Sequence, residues 1–100
     1  MKIYISGAIT GTTDYMERFA KAERELTYIG HSVVNPAKVN AQLPEDTNYE
    51  EYMKMCFCML DMCDAIYMLD GWEESRGANR EYGYAIAKGK EVILESEEDA

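Results

Sequence analysis

Short runs of β-branched and aromatic residues alternate along this chain with stretches of helical periodicity. That alternation confines it to a parallel sheet flanked by helices. Residues 2–6, Lys-Ile-Tyr-Ile-Ser, read as the first strand, and a loop follows through Gly7 and Gly11. Asp14 and Glu17 have capping-box spacing and open a helix whose apolar stripe is Tyr15, Phe19, Ala22, Leu26 and Ile29. Gly30 closes it. Ser32 to Val34 form a second strand, and Asn35-Pro36 ends it, because proline cannot donate to a ladder. Residues 37–47 read as a polar loop. Thr47 and Glu50 repeat the capping spacing before a stripe of Tyr52, Met55, Cys56, Met59 and Cys63. Residues 64–69 are a third strand, 70–77 a loop with a helix start, 78–88 a third helix closed by Gly89, and 91–94 a fourth strand. The acidic residues 95–100 read as a frayed end.

Four strands joined by right-handed helical crossovers predict a three-layer α/β fold of Rossmann-like or flavodoxin-like type. Its parallel sheet has strand order 2-1-3-4. The direction of winding reverses between strands 1 and 3. That reversal opens a crevice beyond the strands' carboxyl ends, where ligands bind in sheets of this kind.

Length and charge narrow the partners. One hundred residues make one domain, here 1–95 with an acidic tail at 96–100. A chain this short buries only roughly 60–65% of its surface, which favours a homo-oligomer. The net charge of −9 excludes a nucleic-acid polymer, whose binding depends on Lys and Arg contacts to phosphate. A free nucleotide stays open, since backbone N–H groups and one or two arginines can hold it. Cys56, Cys58 and Cys63 match no zinc spacing and read as reduced thiols. Met1-Lys2 leads straight into a strand, and no apolar run approaches a membrane span. The expectation is a cytoplasmic protein without a membrane partner or a metal.

Three segments reach the crevice. The loop Ser6-Gly7-Ala8-Ile9-Thr10-Gly11 can bring backbone N–H groups close to a ligand, although a plain turn fits it equally well. It is neither a Walker loop nor a dinucleotide fingerprint. Asp70-Gly71-Trp72 sets a large aromatic at the site mouth, to stack on a planar ring or to cover the core. Ser75-Arg76-Gly77 opens the third helix, where free N–H groups suit a phosphate. Glu81 lies one turn further on. Its helical neighbours Gly77, Ala78, Tyr84 and Ala85 offer no basic partner, so it either faces the crevice or sits as a charge on its rim.

Tyr4-Ile-Ser-Gly7, Cys63-Asp-Ala-Ile66 and above all the run from Ser75 through Glu81 to Leu94 resemble the nucleoside 2-deoxyribosyltransferase superfamily. That group includes the deoxynucleoside 5′-monophosphate N-glycosidases. The resemblance covers the whole chain. The segment Cys63-Asp-Ala-Ile-Tyr-Met-Leu69 with Gly71-Trp-Glu and Ser75-x-Gly-Ala78 is similar to small phage- and prophage-associated members of unknown function. The resemblance implies that Glu81 attacks the anomeric carbon of the sugar, with Tyr4 orienting it. It implies that Gly7, Ala8, Ile9 and Gly11 face the ligand and that Ser75 and Gly77 contact a 5′-phosphate. Trp72 would stack or form a lid. A covalent carboxylate route needs no cofactor. In this superfamily a neighbouring subunit often completes the site.

Three positions depart from the pattern. Cys56 falls where the transferases carry an aspartate that helps to protonate the leaving base, and Ser75 falls at a second aspartate. Thr10 replaces a basic residue of the monophosphate branch. Asp70 is then the substitute acid. Two readings follow: an enzyme acting on the N-glycosidic bond of a deoxynucleoside or its 5′-monophosphate, or a non-catalytic nucleotide-binding module on the same fold.

Overall fold

A computed structural model describes residues 1–98. Its sheet holds β1 (Lys2–Ser6), β2 (Ser32–Val34), β3 (Ala65–Met68) and β4 (Glu91–Leu94), all parallel, in the order β2-β1-β3-β4. The helices are α1 (Tyr15–Tyr28), α2 (Pro36–Asn40), α3 (Tyr49–Asp61), α4 (Arg76–Ala87) and α5 (Glu95–Glu98), with a 3-10 turn at Trp72–Glu74. The α/β class and the strand order expected from the alternation are those observed.

Pleating divides the core in two. Ile3, Ile5, Tyr67 and Leu69 pack against Phe19, Ala22 and Leu26 of α1. Tyr4, Ile66 and Met68 face the other way, onto Met59 and Leu60 of α3 and Ala78 and Ala85 of α4. Each central strand is therefore buried on both faces, as parallel strands under helical cover must be.

The helix boundaries differ from the sequence reading in four places, each for a local reason. Asp14 precedes α1 but makes no capping bond with its side chain. Residues 36–40 form a helix rather than loop. Asn35 caps it by accepting from Lys38 N, and Pro36 sits in its first turn, where a missing N–H costs nothing. The capping box of α3 is Asn48 with Glu51, one residue beyond Thr47 and Glu50. Helix α4 starts at Arg76, and Ser75 Oγ caps it by accepting from Ala78 N.

The stripe of α3 is also rotated. Met53, Cys56, Met59 and Leu60 are buried, while Met55 is 38% exposed. Cys63 lies past the helix end yet is buried against it. Ile29, given to the α1 stripe, stands outside that helix and is exposed. Residues 95–98 make one helical turn instead of a frayed end. Residues 99 and 100 of the expected acidic tail lie outside the described residues.

Candidate functional site

A cavity of about 500 Å³ opens beyond the carboxyl end of β1. Gly7, Ile9 and Thr10 of the following loop form one part of its wall, with Tyr15 and Phe19 of α1. Asn40, Leu43 and Glu45 come from α2 and the segment after it. Tyr49, Tyr52, Met53 and Cys56 come from α3, and Ser75, Gly77, Ala78 and Glu81 from the start of α4.

Glu81 is the buried acid of this wall, 6% exposed. Both of its oxygens are held from β1: the Tyr4 hydroxyl donates to Oε2, and Ser6 Oγ donates to Oε1 at 2.7 Å. The strand places both hydroxyls on one side, because residues two apart on a strand share a face. Burial pushes the Glu81 carboxyl above its ordinary range, while the bonds from Tyr4 and Ser6 pull the other way. Burial also raises the Tyr4 phenol, and the Glu81 charge adds to that. Tyr4 therefore stays protonated and remains a donor.

Cys56 stands beside this pair. Burial, then the nearby Glu81 charge, pushes its thiol up to about 11, so it carries its proton at neutral pH. Asn40 Nδ2 donates to its Sγ at 3.4 Å. Arg80, one residue before Glu81, is turned outward: its guanidinium forms paired bonds of 3.0 and 3.1 Å to the Glu50 carboxylate. Arg76 and Arg80 lie over the ring of Tyr49 at 5.1 and 5.5 Å from its centroid. Among the described residues no three His, Cys, Asp or Glu side chains converge in a way that could hold a metal ion. No described helix is long and apolar enough to cross a membrane.

A family model described as a domain of unknown function, DUF4406, matches residues 1–94. The chain belongs to that family. No curated protein matches it. The DUF4406 fold seen here is also that of a solved 2-deoxyribosyltransferase from the psychrotolerant bacterium Bacillus psychrosaccharolyticus, described as a biocatalyst for the synthesis of antiviral and antitumoral nucleosides. The TM-score is 0.76 at 23% identity, over 94% of this chain and 71% of that one.

The cavity gathers six of the ten residues singled out in the sequence: Tyr4, Gly7, Ile9, Ser75, Gly77 and Glu81. Ala8, Gly11, Asp70 and Trp72 stand outside its wall. Gly11 has φ +83° and serves the turn that Thr12 N closes on Ile9 O. Asp70 is tied down by its backbone: its N–H donates to Glu95 Oε1 at 2.8 Å, and its carbonyl accepts from Arg18 at 2.6 Å. Trp72 stacks on Tyr82 at 4.8 Å and packs over the α3–α4 core rather than at the cavity mouth.

Gly7 lines the cavity for a packing reason as well. A Cβ there would fall 2.8 Å from Leu69 Cδ1 and 2.9 Å from its Cβ. The sequence assigns no site role to the side chains of Ser6, Asn40, Tyr49 and Tyr52, although Ser6 opens the crevice loop and Tyr52 belongs to the α3 stripe. The signal for Ser6 is its two-residue spacing from Tyr4, and that for Tyr52 is its place on the helical stripe with Cys56.

Proposed function

We propose that this chain binds a 2′-deoxynucleoside or its 5′-monophosphate and cleaves or transfers the N-glycosidic bond through Glu81. The observation that carries this reading is the Glu81 carboxylate, buried at a cavity wall with both oxygens held by hydroxyls of one strand. A carboxylate held in that way needs no further ordering before it reacts.

In the proposed reaction a lone pair of Glu81 attacks C1′ of the sugar. The C1′–N bond breaks, and its electron pair leaves with the base, which takes up a proton from water. The resulting glycosyl ester is opened by water or by an acceptor base. A transition state of oxocarbenium character suits an anionic nucleophile beneath the ring. The phenol rings of Tyr15, Tyr49 and Tyr52 give the flat base a surface to stack on, the role the sequence offered to Trp72. Ser75, Gly77 and the start of α4, with Arg76 beside Tyr49, suit a 5′-phosphate. The route uses no cofactor. A second copy of the chain completing the site belongs to this reading, and sedimentation of the purified protein tests it.

Incubation with 2′-deoxynucleosides and their 5′-monophosphates, with chromatography of the products, tests the chemistry. Free base should appear with the native chain and vanish with Glu81→Ala, whose circular dichroism stays native. Base release undiminished by that substitution would sink the proposal.

One observation favours a second reading, a binder without chemistry. The thiol of Cys56 holds its proton too tightly to protonate a leaving base well. That reading predicts thermal stabilisation by the same ligands and no free base.

A further inference from the structure

Asn40 ends α2 and lines the cavity beside Cys56. Its Nδ2 has Cys56 Sγ as acceptor, but its Oδ1 is sealed from solvent and has no hydrogen-bond partner among the described residues. A buried carbonyl oxygen without a partner costs stability. Such a group in a native fold calls for an explanation beyond packing.

The neighbouring thiol accounts for the amide's orientation. A protonated Cys56 has one S–H to give, and Glu81 is the strongest acceptor beside it. The sulfur is then left to accept from Nδ2, which directs Oδ1 away from it. Turning the amide over only exchanges the orphan: Oδ1 takes the S–H, and Nδ2 loses its acceptor. In either orientation the protein matches one half of the amide and leaves the other half over. Asn40 lines the cavity, its N–H···S contact at 3.4 Å is a weak one, and the terminal amide torsion is broad, so rotation of the amide is the step by which the unmatched oxygen would reach a ligand.

We infer that Asn40 is a specificity-determining residue whose side-chain oxygen accepts a hydrogen bond from a hydroxyl or amino group of the ligand, one side chain away from Glu81. The identity of the ligand rests on the nucleoside reading above. Within a nucleoside the donor is either a sugar hydroxyl or the exocyclic amino group of the base.

Asn40→Leu keeps the approximate volume and removes the acceptor; Asn40→Ser is the milder change. Two measurements separate the inference from an ordinary structural role. The first is the melting temperature without ligand. It should be unchanged or higher in Asn40→Leu, since an orphan is removed. A fall of several degrees in both variants would overturn the inference.

The second is the Kd for 2′-deoxyadenosine, 2′-deoxyinosine and 2′,3′-dideoxyadenosine, each with and without a 5′-phosphate. Asn40→Leu should weaken 2′-deoxyadenosine roughly tenfold, the worth of one neutral hydrogen bond. That penalty should disappear with 2′-deoxyinosine if the amino group is the donor, with 2′,3′-dideoxyadenosine if the 3′-hydroxyl is, or with the 5′-phosphates if the 5′-hydroxyl is. An equal Kd in both proteins, or an undiminished penalty with all three compounds and their 5′-phosphates, overturns the inference. If the native chain binds none of them, the nucleoside reading fails instead. The ligand-free melting comparison then decides for or against Asn40 on its own.

Discussion

The Tyr4 hydroxyl donates to Glu81 across 77 residues of sequence, joining the first strand to the last long helix inside the core. Ser6 repeats the contact on the other oxygen. Two hydroxyls from one strand thus compensate a charge whose burial would otherwise be prohibitive.

Tyr4→Phe keeps the ring and removes the donor. Hydrogen bonds to a charged group contribute about 1.5–3 kcal/mol, so denaturant unfolding at neutral pH should show a loss of that order. With less support for its charged form, Glu81 titrates higher. The acid limb of any base-releasing activity should therefore move to higher pH. An unmoved limb together with unchanged stability would show that the contact is idle.

Glu81 also sets a pH dependence of stability. Its carboxyl titrates above 4.5 in the folded chain and near 4.5 in the unfolded one. Between those two values the folded state holds more protons, so this group makes stability fall as pH rises through that window. Below 4.5 both states are protonated and its contribution is flat. Glu81→Gln removes the titration. Melting temperatures of the two proteins between pH 4 and 8 should show the variant gaining on the native chain as pH increases. A difference that stays constant or shrinks contradicts the assignment.

Gly7→Ala forces a methyl group to within 3 Å of Leu69, whose side chain is fully buried. Overpacking of this kind costs about 1–3 kcal/mol. Urea titration should show that loss, and Leu69→Gly in the same chain, which removes both the Cδ1 and the Cβ contact, should make the Gly7→Ala step milder. Additive losses would mean that the clash is relieved elsewhere.

Gly77→Ala is the contrasting case. Its Cβ would meet Met53 Sδ at 3.6 Å and the Tyr49 hydroxyl at 3.7 Å, both ordinary contacts. In the first turn of α4 alanine is favoured over glycine by up to about 1 kcal/mol, so stability should hold or rise. The methyl nevertheless enters the cavity wall beside Ser75, and ligand affinity should fall. Unchanged affinity would remove this end of the cavity from the binding site.

The sheet was legible because its signal is local: Ile3-Tyr4-Ile5 and Ala65-Ile66-Tyr67-Met68 announce strands wherever they occur. Helix α2 was not. Asn35-Pro36 stops a strand and starts a helix with the same two residues, and the local pattern carries both meanings. The stripe of α3 slipped because Met53 and Met55 are the same residue type on neighbouring positions, and tertiary packing chooses between them. Trp72 illustrates the limit for sites. Its loop does reach the crevice side of the sheet, but whether the indole turns to the ligand or to Tyr82 depends on a residue ten positions away. Asn40 and Tyr49 carry no local signal, and the stripe that holds Tyr52 says inward without saying cavity, since a cavity wall is a meeting of distant segments.

Strand β1 divides its labour by parity: Ile3 and Ile5 hold the α1 side, Tyr4 and Ser6 the carboxylate. A slip of one residue in the pairing with β3 would exchange the two sets, turning aliphatic groups onto a charged oxygen. The surroundings of Glu81 therefore assemble only when the ladder locks in place. A ligand-binding signal and a whole-molecule unfolding signal should disappear at the same denaturant concentration, with no intermediate that keeps one and loses the other.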